Sequence, residues 1–172
     1  MCVIDRYGFQ PTGEQHVDAS SLLLRPALAE DLAAVIALHA ADAVGGHDDG
    51  WTDETRADYQ AAFARLQSMP GHTLYVAESA GRLVGTFLLS ILPGITERGM
   101  TLAVVRSVQV AASERSRGIG ARMMELAEDL AREAGAGRIE LSSNVKRLDA
   151  HRFYERIGYV RSHAGFKKKL LP

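Results

Sequence analysis

Cysteine is almost missing: Cys2 is the only one among 172 residues. No disulfide framework and no cysteine-based metal cluster can form within one chain. No other short-range ligand spacing marks a metal site, so none is expected. No apolar run approaches the ~20 residues that a membrane-spanning helix needs. The first residues show no basic stretch leading into an apolar core, so a secretion signal is not expected and the cytoplasm is the default compartment. One charge sign does not dominate either: 20 basic and 21 acidic residues leave a net charge of −1, which removes general attraction to nucleic acid. Internal repeats and low-complexity tracts are lacking too. What is present, 47% apolar and 24% charged residues, is the composition of an ordinary globular domain with a sizeable core.

Residues 1–20 mix Gly, Pro, Gln, His and acids without period and read as an extended arm; residues 21–172 read as one domain. Leu22 to Arg25 suits a short strand broken by Pro26, and Ala29 to Leu38 a helix with Glu30 and Asp31 near its start. Asp42 to Asp53 is a glycine- and acid-rich loop, followed by a helix to Gln67 that Thr52 or Asp53 would cap. Thr73–Glu78 and Arg82–Leu92 read as a hairpin, Pro93–Gly99 as a loop, and Ile139, Leu141 and Ser143 as the lead of a fifth strand. A short helix marked by Ala150, Phe153 and Ile157 closes at Gly158, and Tyr159 to Leu170 has the look of two final strands.

The most informative stretch runs from Val108 to Ala134. Thr101 to Val110 is rich in β-branched residues and short enough for a buried strand. Ile119, Met123, Leu126, Ala127, Leu130 and Ala134 then share one face at helical spacing. Between them lies Arg115-Ser116-Arg117-Gly118-Ile119-Gly120. A strand feeding a glycine-bearing turn and a helix N-terminus gathers backbone N–H groups that lack internal acceptors, next to a partial positive charge. Such a place favours phosphate. Gly118 and Gly120 allow close backbone approach, and Arg115 and Arg117 add charge at the rim. The same two glycines also suit a plain bend, and the spacing is neither the dinucleotide fingerprint nor the Walker pattern.

Arg115-x-x-Gly118-x-Gly120 after Val-x-Val resembles the pyrophosphate-binding motif of the GNAT superfamily of acetyltransferases. Asn144-Val-Lys-Arg-Leu-Asp-Ala-His-Arg-Phe-Tyr154-Glu-Arg-Ile-Gly158-Tyr159 resembles that superfamily's C-terminal motif, in wording closest to the small-molecule, aminoalkylphosphonate type. The resemblance runs from about Leu22 to Leu170. It implies an α/β GNAT fold: a mixed, twisted sheet of six to seven strands flanked by about four helices, binding acetyl-CoA at a splayed pair of strands. It also implies N-acetylation of a small primary amine by direct attack in a ternary complex, with homodimers common. Rival readings are a protein lysine or N-terminal acetyltransferase and a non-catalytic acyl-CoA sensor.

The resemblance assigns site residues as well. The amides of Arg115, Ser116, Arg117, Gly118, Ile119, Gly120 and Ala121 would hold the diphosphate of coenzyme A. The backbone of Val108, Gln109 and Val110 would pair with its pantetheine arm, the Val110 amide binding the thioester oxygen in the manner of an oxyanion hole. Asn144 would touch the cofactor arm. Tyr154 would be the acid that protonates the leaving thiolate, since a phenol of pKa ~10 is protonated at neutral pH yet near a thiol's ~8.5. An alkyl amine of pKa ~10.4 must also lose a proton, at a cost of about 4–5 kcal/mol at pH 7. Relatives often carry a glutamate on the central strand for this; here Arg106 stands in that neighbourhood. His47, Asp48, Asp49 and Glu97 are the loop residues left to bind a cationic amine or relay its proton, and Arg106 would suit an acceptor with a carboxylate or phosphonate. Lys167 to Lys169 reads as a solvated, charge-protected strand.

Overall fold

The computed structural model describes residues 21–42 and 49–170. The expected N-terminal arm, and His47 and Asp48, lie outside the described residues. In chain order the elements are β1 (Leu23–Pro26), α1 (Leu32–Ala40), α2 (Arg56–Gln67), β2 (His72–Ser79), β3 (Arg82–Leu92), α3 (Thr96–Gly99), β4 (Thr101–Val110), α4 (Ile119–Glu133), β5 (Ala136–Leu141) and α5 (Leu148–Arg156). The strands form one sheet in the order β1-β2-β3-β4-β5. Neighbours run antiparallel except for the parallel pair β4 and β5, which α4 connects by crossing one face.

Successive strand residues point to opposite faces, and Val76 and Ala77, both fully buried, divide the core accordingly. Val76 joins Ala27, Leu32, Val35 and Phe63 under α1 and α2. Ala77 joins Phe87, Leu89, Ala103, Val105 and the inner stripe of α4. That stripe is Ile119, Met123, Met124, Ala127 and Ala131; of the face expected from spacing, Ile119, Met123 and Ala127 are buried, Leu126 and Leu130 half-buried, and Ala134 is exposed. Burial of Ile119, Met123 and Met124, at about 1.5–3 kcal/mol each, fixes the first turns of α4 against the sheet. Gly135, at φ 76°, ends the helix.

Among the described residues five strands are found where six to seven are expected. Tyr159 to Leu170 carries none: the segment is irregular, with Val160, Phe166 and Leu170 exposed to 84%, 95% and 85%. A strand exists through its ladder, and alternation in sequence supplies only the propensity; this stretch pairs with nothing among the described residues. Other departures are small. The second helix begins at Arg56, after a turn in which Thr52 Oγ1 accepts the Thr55 N–H at 3.3 Å. Thr96 to Gly99 forms one helical turn with left-handed Glu97 and Arg98, where a loop is expected. The mixed α/β architecture is as anticipated.

Candidate active site

The central strand is irregular where it matters. Thr86 opposes Gln109, but two residues further along β3 Leu88 opposes Arg106, three residues back along β4. β4 therefore holds one extra residue, a bulge, at Ser107 with φ 55°. Pairing of β4 with β5 stops at Val105 opposite Leu141. Beyond it Arg106 to Val110 has β3 on one side and an opening on the other. Ala111 N–H donates to Val84 O at 2.8 Å, so alternation turns the Val110 N–H away from β3 and into that opening. The Val110 carbonyl accepts from Arg115 Nε at 3.2 Å.

The turn after β4 is concave. Ser116 at φ 62° and Gly118 at φ 80° are both left-handed, and such residues in alternation point successive N–H groups the same way. The turn is anchored at its ends, by Arg115 N–H on Ala112 O at 3.4 Å and Arg122 N–H on Gly118 O at 3.0 Å. Among the described residues, the N–H groups of Ser116 through Ala121 find no backbone acceptor. Residues 115–118 are exposed, while Ile119 at their end is buried. Below the turn lies the buried Glu114, which accepts from Arg117 at 3.2 Å and from Arg82 at 3.4 Å.

α5 closes the far side of the opening. Phe153 lies against the first turn of α4: a Cβ on Gly120 would stand 3.4 Å from Phe153 Cζ and 3.7 Å from Val110 Cγ2. Tyr154 packs edge-on to Phe153 and Tyr159, with ring centroids 5.1 and 5.9 Å away. Its hydroxyl has no hydrogen-bond partner among the described residues, and burial raises its pKa above the ordinary value while the Arg147 cation pulls it down. Burial, with the Glu128 carboxylate, also raises Tyr159.

A family model for acetyltransferases of the GNAT family matches residues 32–159. The chain belongs to the GNAT acetyltransferase family. It is 37% identical over 116 residues to the aminoalkylphosphonate N-acetyltransferase of Salmonella typhimurium, covering 66% of this chain and 75% of that protein. Among solved structures, a transcriptional regulator from Bacillus halodurans superposes with a TM-score of 0.82 at 28% identity, covering 87% of this chain and 99% of the other. An inferred acetyltransferase from Agrobacterium tumefaciens gives 0.75 at 28% identity, with 86% and 99% covered.

The family transfers acyl groups from acetyl-CoA, and this acetyltransferase has a donor set that suits it. Unpaired N–H groups in a concave turn, a helix N-terminus and two arginines at the rim fit a diphosphate. The gap between β4 and β5 leaves unpaired strand backbone for an extended arm.

The remaining expected site residues scatter. Asn144 is exposed and turns its Oδ1 onto the Lys146 N–H at 3.0 Å, a turn contact; His151 Nε2 meets the Asn144 carbonyl at 2.9 Å. Glu97 grips Arg138 Nη1 at 2.9 and 3.1 Å, ahead of Thr101, the end of β4 remote from Val110. That is about 30 Å away along the strand, so Glu97 is not brought to the site. Asp49 accepts from the Tyr59 hydroxyl of α2 at 3.0 Å. Arg106 follows Val105, which faces α4, so it projects on the α1–α2 side, exposed and without an ion-pair partner among the described residues.

Sequence reading missed three groups. Glu114 is one. The others are Asp42 and Arg147: Asp42 Oδ2 accepts from Gln109 Nε2 at 2.8 Å and from Arg147 Nη2. The partners are 105 residues apart in the chain, and no local spacing signals a contact of that range.

Proposed function

We propose that this acetyltransferase moves the acetyl group of acetyl-CoA to the primary amine of a small molecule, by direct attack in a ternary complex. Amides of the turn from Ser116 to Ala121 seat the diphosphate, the expected Arg115 amide being given to Ala112 O instead, and the backbone of Val108 to Val110 lines the arm. The Val110 N–H faces the thioester oxygen and stabilises the charge that gathers there. Tyr154 gives its proton to the departing thiolate, and the amine's proton leaves through water. The observation that carries this reading is the Tyr154 hydroxyl, without a hydrogen-bond partner among the described residues and with its pKa raised by burial, on the helix whose Phe153 packs against Gly120. For the acceptor, the identity to the Salmonella protein and Arg106, exposed and without an ion-pair partner among the described residues, both favour an aminoalkylphosphonate or a similar anionic amine.

The test is thiol release from acetyl-CoA with a panel of aminoalkylphosphonates, amino acids, polyamines and aminoglycosides. Anionic amines should be acetylated best, and Arg106→Ala should raise their KM while leaving acetyl-CoA binding intact. Tyr154→Phe should lower kcat by about a hundredfold, the lower end of what general acids contribute. Full activity of Tyr154→Phe across the pH range would remove the proton donor.

A further inference from the structure

α5 is fastened to β4 from both sides. On the α4 side Phe153 packs against Gly120 in the first turn of α4, which also adjoins Val110. On the α1 side Arg147, the residue that opens α5, reaches over to Asp42 just past the end of α1. Asp42 is tied in turn to Gln109, the strand neighbour of Val110, at 2.8 Å. All three are sheltered: the Arg147 and Asp42 side chains are 26% and 10% exposed, and Gln109 is buried. Arg147 is the cap residue just before α5, about two turns ahead of Tyr154 along the helix.

We infer that Arg147, pinned by Asp42 and Gln109, is a positioning residue that holds Tyr154 against the Val110 end of β4 and stabilises the phenolate left when Tyr154 donates its proton. This rests on Tyr154 being the acid. In that step the phenol O–H bond breaks and an S–H bond forms on the thiolate. The negative charge passes to the phenolate oxygen until it regains a proton from solvent. A fixed cation nearby lowers the cost of that charge most where water is excluded. Two carboxylates are relevant. Asp42 compensates Arg147 directly, and Glu128 of α4 lies behind Tyr159, accompanied by Arg132. Tyr159 is the other ionisable group against the ring, while Arg156 sits over Phe153. The Arg147 cation lowers the Tyr154 pKa against the rise that burial causes.

The test labels the full chain with 3-fluorotyrosine and follows the fluorine resonance that Tyr154→Phe removes. Arg147→Gln should move its ionisation midpoint upward by about half a pH unit or more, since loss of a cation disfavours the phenolate. It should also lower kcat about tenfold, a fraction of what the acid itself contributes, with acetyl-CoA KM little changed. Arg147→Lys should restore most of both. Asp42→Asn keeps the arginine but removes its anchor; it should lower kcat part of the way with acetyl-CoA KM little changed, and it serves if Arg147→Gln does not fold. A midpoint unmoved in Arg147→Gln, an undiminished kcat in Asp42→Asn, or a lysine variant no better than the glutamine one overturns the inference. A shifted midpoint in a chain whose Tyr154→Phe form is fully active sinks the acid assignment instead, leaving the coupling between the two residues in place.

Discussion

Gly120 of α4 and Phe153 of α5 are packed so closely that a methyl group on the glycine would just touch the ring, at 3.4 Å from Cζ. The absent side chain points toward Phe153 and Val110, into the seam where three elements meet. Gly120 and Gly118 therefore do different things: Gly118 supplies a left-handed backbone, and Gly120 supplies room for α5. Since Tyr154 packs edge-on to Phe153, a shift of the seam also moves the phenol.

Substitutions at Gly120 should split by size. Alanine makes ordinary contact and removes a helical glycine, so Gly120→Ala should stabilise the fold by about 0.5 kcal/mol. Gly120→Leu cannot be housed without moving Phe153 and should destabilise by about 1–3 kcal/mol, with kcat falling as Tyr154 shifts. Thermal melts and steady-state rates of the two variants check both signs. A leucine variant of undiminished stability would show that the seam yields freely.

At Gly118 the backbone itself is the issue. With φ at 80°, a Cβ costs about 1–2 kcal/mol. Relaxing that strain rotates the N–H groups that follow. Gly118→Ala should lose about tenfold in coenzyme A affinity, the equivalent of one charge-assisted hydrogen bond. Calorimetric titration with coenzyme A measures it, and unaltered affinity would mean that the diphosphate sits elsewhere.

How far the chain could be read in advance depended on the range of the interaction. The Ile119, Met123 and Ala127 part of the α4 stripe and the turn before it are local patterns, visible as 3.6-residue spacing and as glycines beside arginines. The hairpin of β2 and β3 is local as well. Pairing in the last segment was not: Tyr159 to Leu170 has strand composition, yet composition does not provide a partner strand. Glu97 illustrates the same limit, since its sequence position in a loop gave no hint that Arg138 of β5 would take it. The bond of Asp42 to Gln109 and Arg147 joins three separate elements, and only the folded sheet brings them together.

Glu114 offers a further test of the turn. Its side chain is 4% exposed and holds both Arg117 and Arg82. Glu114→Gln keeps the shape but removes the charge, leaving two guanidinium groups without their anion. A loss of about 1–3 kcal/mol in stability is expected, the cost of disrupting a buried charged hydrogen bond. Arg117 should then wander, raising acetyl-CoA KM several-fold with kcat nearly constant. A fall in kcat at unchanged KM would place Glu114 in the chemistry rather than beneath the turn.

The entry to α1 should show its own acid sensitivity. Arg25 grips Asp31 with two hydrogen bonds, Nη1 to Oδ2 at 2.7 Å and Nη2 to Oδ1 at 2.9 Å, and the Leu28 N–H donates to the same carboxylate at 2.7 Å. The Arg25 bonds, followed in size by burial that opposes them and by the Leu28 amide, hold the Asp31 carboxyl below its usual range. A depressed pKa in the folded state means that the unfolded chain takes up the proton first. Its stabilisation is therefore whole above the unfolded value of ~3.9 and drains away as the pH falls from there toward the folded value. Asp31→Asn should thus cost about 1–3 kcal/mol at pH 7, with Glu78 still bound to Arg25. The gap from the parent protein should stay constant down to about pH 5 and then narrow in acid, as the parent's own Asp31 becomes neutral. Urea unfolding of both proteins at pH 7, 5 and 3.5 measures that gap, and one that widened on acidification would reverse the sign assigned to this ion pair.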